Sequence, residues 1–340
     1  MLAIFSAAFN AVMPIILIVL LGYILRQKKF LSDNFLSVGN KLVFRVLIPV
    51  MLFINVYNIA GFSVIRWDIV LFCLCVTLLL FGLGLVAAVI GTPIPQRRGV
   101  ILQCCFRSNY ALIGISLAAT IGNNEAVALA SVLSAFTIPV YNTLAVVALT
   151  MFLPQTEKNS SRIVRTLSSV VRNPLIIGVA LGFVVLFIRE LQRKLWGEVI
   201  FSLSEDLPFL HSCLNSLKAT ATPLGLLVMG GQFDFSATKA MRKEILIGTL
   251  TRLLLSPVVG IGLGILVSRF TNLLQLGQNE YPALIALCAT PTAVSSAIMA
   301  GEMGNDQQLA VQLVVWTSLG SVVTVFAIIC ALMAMGLLAI

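Results

Sequence analysis

Long apolar runs separated by short polar stretches cover almost the whole chain. Runs long enough to cross a bilayer, at about 20 residues each, fall at about 8–25, 36–57, 68–91, 98–121 and 125–153, and again at about 172–189, 211–232, 243–268, 281–303 and 306–338. The pattern predicts ten transmembrane helices, because a bilayer offers no water to unpaired backbone groups. Two of the ten are interrupted near mid-span. The fourth contains Phe106-Arg107-Ser108-Asn109-Tyr110-Ala111-Leu112-Ile113-Gly114, and the ninth contains Ala289-Thr290-Pro291-Thr292-Ala293-Val294-Ser295-Ser296. Polar and ionisable groups at membrane depth are costly and point to function. These two stretches are therefore expected to face each other across a solute-binding site. The first run has no basic n-region before it and ends at Arg26-Gln27-Lys28-Lys29, so it reads as a membrane helix and not a cleaved signal.

The interruptions belong to an internal repeat. Pro14 is followed eight residues later by Gly22, and Pro174 eight residues later by Gly182. Pro49 in the second run matches Pro223 in the seventh. Asn109 lies 13 residues before Gly122, and Pro291 lies 13 before Gly304. One offset of 182 pairs Ser108 with Thr290, Asn109 with Pro291 and Gly114 with Ser296. The expected units are a five-helix repeat at 1–153, a linker at 154–171 and a second five-helix repeat at 172–340. A unit with an odd number of spans must insert its second copy upside down. Inverted repeats with interrupted helices at matching positions point to a secondary transporter with a midplane site.

Composition agrees: 59% of residues are apolar and 10% are charged, with mean hydropathy +1.04, against about 25% charged in soluble domains. The net charge of +9 does not mark a nucleic-acid binder, since the basic residues lie in short loops. The odd-numbered connections hold 13 Lys and Arg, the even ones hold 6, counting Lys218 with the sixth. The positive-inside rule then places both termini outside. The run Gln155 to Ser169 reads as a mobile cytoplasmic link. Glu190–Gly197, with Trp196, reads as a short amphipathic helix on the outer surface. The seven cysteines, with His211 as the only histidine, show no zinc spacing and read as small apolar fillers. Neither a metal nor another cofactor is expected.

Three arginines fall inside spans: Arg45, Arg107 and Arg252. None of the 13 acidic residues lies near the middle of one; Glu302 and Asp234, near helix ends, could titrate. Pro291 favours a break because it removes a donor and clashes with the preceding turn. Ser108, Asn109 and Gly114 favour one less strongly. A break exposes helix N-termini, which attract anions. The expected substrate-binding set is Arg107, Ser108, Asn109, Tyr110, Gly114, Asn142, Arg252, Thr290, Pro291, Thr292, Ser295 and Ser296. Arg45 is expected to snorkel to the cytoplasmic surface. Asn142 either faces the site or bonds a neighbouring helix. Gly260, Gly262 and Gly264 are expected to permit close helix packing; they follow no strand, so they are not a dinucleotide motif.

These residues together resemble the auxin efflux carrier family, which includes the plant PIN proteins and bacterial permeases for small organic acids. The resemblance rests on Phe106-Arg107-Ser108-Asn109 with Gly114, on Gly122-Asn123, Tyr141-Asn142 and Pro49-Val50-Met51-Leu52-Phe53. In the second half it rests on Arg252 with Pro257, and on Ala289-Thr290-Pro291 with Gly304. It implies two inverted five-helix repeats with broken, crossing helices 4 and 9. Helices 1, 2, 6 and 7 would form a scaffold, and helices 3–5 and 8–10 a transport part. It further implies elevator-type movement and a homodimer. Tyr110 stands where members often have Thr, and Ser116 where they often have Pro. The short linker suits a bacterial member.

The expectation is therefore a secondary active or facilitative transporter of a small mono- or dicarboxylate in the bacterial inner membrane. Its partners would be that anion, membrane lipid and, if coupled, protons or sodium. A sodium-coupled carrier of the bile-acid type would want paired acidic and amide cation ligands, which are not seen at the crossing. A non-transporting membrane receptor remains an alternative. An intramembrane enzyme would need a carboxylate pair, a His–Glu zinc motif or an aspartate-rich diphosphate site, which the acidic positions exclude.

Overall fold

The computed structural model describes residues 2–59, 66–153 and 172–338. All regular structure among them is helical: α1 (Leu2–Gln27), α2 (Asp33–Tyr57), α3 (Trp67–Gly91), α4 (Pro95–Phe106), α5 (Ile115–Ile121), α6 (Asn124–Met151), α7 (Pro174–Trp196), α8 (Leu203–Asp206), α9 (Pro208–Gln232), α10 (Phe235–Ala240), α11 (Arg242–Phe270), α12 (Tyr281–Cys288), α13 (Ser295–Glu302) and α14 (Gln307–Ala334). Among the described residues, α2, α3, α6, α7, α11 and α14 are each long and apolar enough to cross a bilayer. Large apolar side chains turn outward, as a lipid-facing surface requires: Ile90 is 75% exposed, Val258 70% and Phe187 63%. The linker, with Gln155 to Ser169 and the loop cations Lys158, Arg162 and Arg165, lies outside the described residues.

Local sequence explains most boundaries. The Ser32 side chain accepts the Phe35 N–H at 3.1 Å and starts α2. Both α2 and α11 widen into a π-turn, at Val43–Leu47 and Thr251–Leu255. Each π-turn ends two residues before a proline, Pro49 or Pro257. A proline displaces the carbonyl one turn earlier and donates nothing to it, and a local π-turn absorbs the strain. The expected surface helix at Glu190–Gly197 does not form separately. Those residues are the last turns of α7, which runs on to Trp196 and stops at left-handed Gly197 (φ 83°). The helical repeat in that stretch continues the span's own register, so no boundary arises before the glycine.

Helices α1 and α9 pack closely, as do α2 and α7. A Cβ on Gly230 would overlap the Val19 carbonyl, and one on Gly22 the Leu227 carbonyl. The three-glycine stretch in α11 divides: Gly260 abuts the Cys288 side chain and Gly264 meets Leu276 and Leu284, whereas Gly262 faces open space. Gly230→Val is expected to destabilise the protein by about 1–3 kcal/mol, while Gly262→Ala should be neutral or slightly stabilising. Thermal unfolding of the two variants in detergent checks this contrast.

Candidate functional site

The stretches expected as the fourth and ninth spans are both interrupted, and the interruptions face each other. Arg107, Ser108 and Asn109 leave helical geometry between α4 and a π-turn at Tyr110–Gly114 that leads into α5. Ala289–Val294 separates α12 from α13. Ser108 and Thr292 form an antiparallel bridge. The Asn109 N–H donates to the Pro291 carbonyl at 2.8 Å, and the Ala293 N–H to the Arg107 carbonyl at 3.2 Å. The Thr292 hydroxyl donates to that same carbonyl at 3.2 Å. Unwound backbone inside a membrane protein must find partners within the protein. Here each break supplies them for the other, so the first opens although Ser116 stands in place of a proline.

The two breaks together leave two C-terminal carbonyl ends and two N-terminal amide ends, of opposite partial charge. Arg252 covers the carbonyl ends. It has no exposed surface. It donates from Nε to the Thr290 carbonyl (2.7 Å), from Nη2 to Leu287 (3.0 Å) and from Nη1 to Cys105 (3.2 Å). Ser256 donates to the Cys288 carbonyl at 3.0 Å. The negative ends of α4 and α12 are thereby neutralised by one guanidinium.

Arg107 is disposed differently. It is 3% exposed, and its Nη2 reaches Asn142 Oδ1 at 2.7 Å and Ser295 Oγ at 2.8 Å. Nη1 meets Met299 Sδ at 2.7 Å and Gln103 Oε1 at 3.5 Å. Every partner is neutral. No carboxylate pairs with Arg107 among the described residues. A buried cation without a counter-charge is costly. Beside it lies a cavity of about 60 Å³ bounded by Arg107, Ser108, Asn109, Tyr110, Tyr141, Asn142, Thr222 and Ser295. The amide nitrogen of Asn109 is buried with no protein partner, and α13 presents its N-terminus there through Val294 and Ser295.

The cavity thus collects Arg107, Ser108, Asn109, Tyr110, Asn142 and Ser295 from the sequence-predicted set. Gly114 instead packs against Ala286. Thr290 bonds the Ala286 carbonyl at 2.8 Å. Pro291 and Thr292 serve the crossing itself. Ser296 is 3% exposed, and its carbonyl accepts from Gln103 at 3.1 Å. Arg252 is turned to carbonyls and does not bound the cavity. Sequence reasoning missed Tyr141, Thr222 and Gln103. Gln103 lies one turn before Arg107, and Thr222 directly precedes the mid-helix Pro223.

A wider cavity of about 880 Å³ lies between α1, α2, α5, α6 and α9, and shares Met51 and Thr222 with the smaller one. At the other end of α2, Asn40 donates to Glu302 (2.9 Å) and accepts from Gln307 (3.1 Å). Gln307 also bonds Gln232 of α9 at 2.9 Å. Arg45 has a largely exposed side chain, 4.0 Å from Glu302. Cys73, Cys104, Cys105 and Cys288 are buried free thiols in the helix packing.

Several apolar, lipid-facing helices around a pair of interrupted ones make this a multi-pass membrane protein. Residues 7–329 match the membrane transport protein family, which is the auxin efflux carrier family, and the chain belongs to it. No curated protein matches the chain.

Proposed function

We propose that the protein carries a small organic anion, a mono- or dicarboxylate, across the bacterial inner membrane. The observation that carries this reading is Arg107, a buried guanidinium whose protein partners are all neutral. A carboxylate in the adjoining cavity would supply the missing charge and accept from Asn109 Nδ2. The positive end of α13 adds to the attraction. Arg252 has already cancelled the opposing negative helix ends, so the local field favours an anion over a cation. The cavity of about 60 Å³ admits a carboxylate head, and the rest of the solute extends into the wide cavity.

We read the two halves as inverted repeats, an architecture that suits alternating access. Under the 182-residue offset, the Asn109–Pro291 pair maps onto itself. Helix α1 packs on α9 as α7 packs on α2. Gly22 meets Leu227, four residues after Pro223, and Gly182 meets Phe53, four after Pro49. We read α1, α2, α7 and α9 as the scaffold and the crossed helices with their neighbours as the moving part. An elevator step would exchange the bonds from Asn40 and Gln232 to Glu302 and Gln307 for others. With both termini outside, the wide cavity opens outward.

A thermal-shift series of C2–C6 mono- and dicarboxylates on the purified protein tests the site, paired with flux into proteoliposomes. The best-stabilising acid should bind Asn109→Ala about tenfold or more weakly, as expected for one hydrogen bond to a charged group. Equal stabilisation of both forms would remove the site from the crossing. Binding without accumulation would favour the receptor alternative.

A further inference from the structure

The sequence pattern puts Lys218 with the outer connection, yet the structure places it well inside α9, ten residues after Pro208. That is about 15 Å along the helix. Its side chain is half-buried and borders the 880 Å³ cavity. No ion pair or hydrogen bond engages it among the described residues. No acidic residue bounds that cavity either, while Asn55, Asn58, Ser116, Ser131 and Ser134 do. Thr222, one turn further along the same face of α9, belongs to both cavities. Lys218 therefore borders the wide cavity one helical turn from a residue that also lines the cavity beside Arg107.

We infer that Lys218 makes the wide cavity a second anion-binding subsite, which receives a carboxylate before or together with Arg107. An uncompensated cation at this depth is kept only at a cost, and the polar wall around it offers the amides of Asn55 and Asn58 to an anion but no counter-charge to the lysine. A solute with two carboxylates can engage both cations at once; one with a single carboxylate meets them in turn. This deepens the carrier reading and rests on it for the passage between the subsites.

The test reads the charge of the cavity without needing the natural substrate. Thr222→Cys is introduced on a background with the exposed Cys75 and Cys213 replaced by serine. The purified protein is labelled with a sulfonate-bearing and a trimethylammonium-bearing methanethiosulfonate reagent, and the rates are followed by mass spectrometry. The anionic reagent should react faster. Lys218→Gln should lower the anionic-to-cationic rate ratio by about tenfold, as expected for a unit charge a helical turn away in a partly screened cavity. Lys218→Arg should preserve the ratio. A ratio unmoved by Lys218→Gln would overturn the inference, as would equal loss in Lys218→Arg. Failure of the carrier reading would show instead as absent flux with the labelling ratio intact.

Discussion

Arg107→Gln should reduce carboxylate uptake into proteoliposomes by at least about thirtyfold at subsaturating anion, while the protein stays folded. Removing one member of a buried, hydrogen-bonded charge pair costs about 2–5 kcal/mol, which corresponds to roughly thirty-fold to several-thousand-fold in affinity. Glutamine can still meet Asn142 and Ser295, which now bond the guanidinium at 2.7 and 2.8 Å. The apolar wall of the cavity is untouched, and the apo protein sheds an unpaired buried cation. Its melting temperature without ligand should therefore hold or rise. The carboxylate-induced shift should disappear. Arg107→Lys retains the charge but not the planar fork, so it should fall between the two. Arg45→Ala is the control, because that side chain is 68% exposed and reaches no part of the crossing. Wild-type uptake by Arg107→Gln would refute the anion site; equal losses from Arg45→Ala and Arg107→Gln would mean folding damage.

Six of the ten expected runs are single helices long and apolar enough to cross a bilayer among the described residues, because apolar length is a strong signal. Pro291 announced the second break through its own chemistry. The first break had no such residue. Arg107, Ser108 and Asn109 were visible as a polar island, but their backbone opens because Pro291 and Ala293 arrive from the other half to bond it. That pairing joins positions far apart in sequence and leaves no local trace. The arginines show the same limit. Arg107 and Arg252 look alike as isolated cations in apolar helices, and only the tertiary structure separates a guanidinium facing neutral side chains from one facing carbonyls. Lys218 was obscured by loop counting: a lysine ten residues into a helix that begins at Pro208 resembles a boundary residue when the boundary itself is uncertain.

Arg252→Ala should lower stability more than any change inside the cavity, and should do so with or without ligand. Three buried carbonyls, at Cys105, Leu287 and Thr290, would lose their donor together. At about 1–3 kcal/mol for each stranded buried group, the loss is roughly 3 kcal/mol or more. The C-terminal ends of α4 and α12 would also be left with uncancelled partial negative charge beside each other. Both breaks depend on those ends staying in place, so the crossing should loosen as a unit, and hydrogen exchange at Asn109 and Ala293 should rise together. Arg252→Lys should recover only part of the stability, since a single ammonium cannot span three diverging carbonyls. The folded fraction of either variant should bind the stabilising carboxylate with close to wild-type affinity, because Arg252 does not bound the cavity. Normal melting of Arg252→Ala with lost carboxylate binding would reverse the assignment and return Arg252 to the substrate-binding set that its position in the sequence suggests.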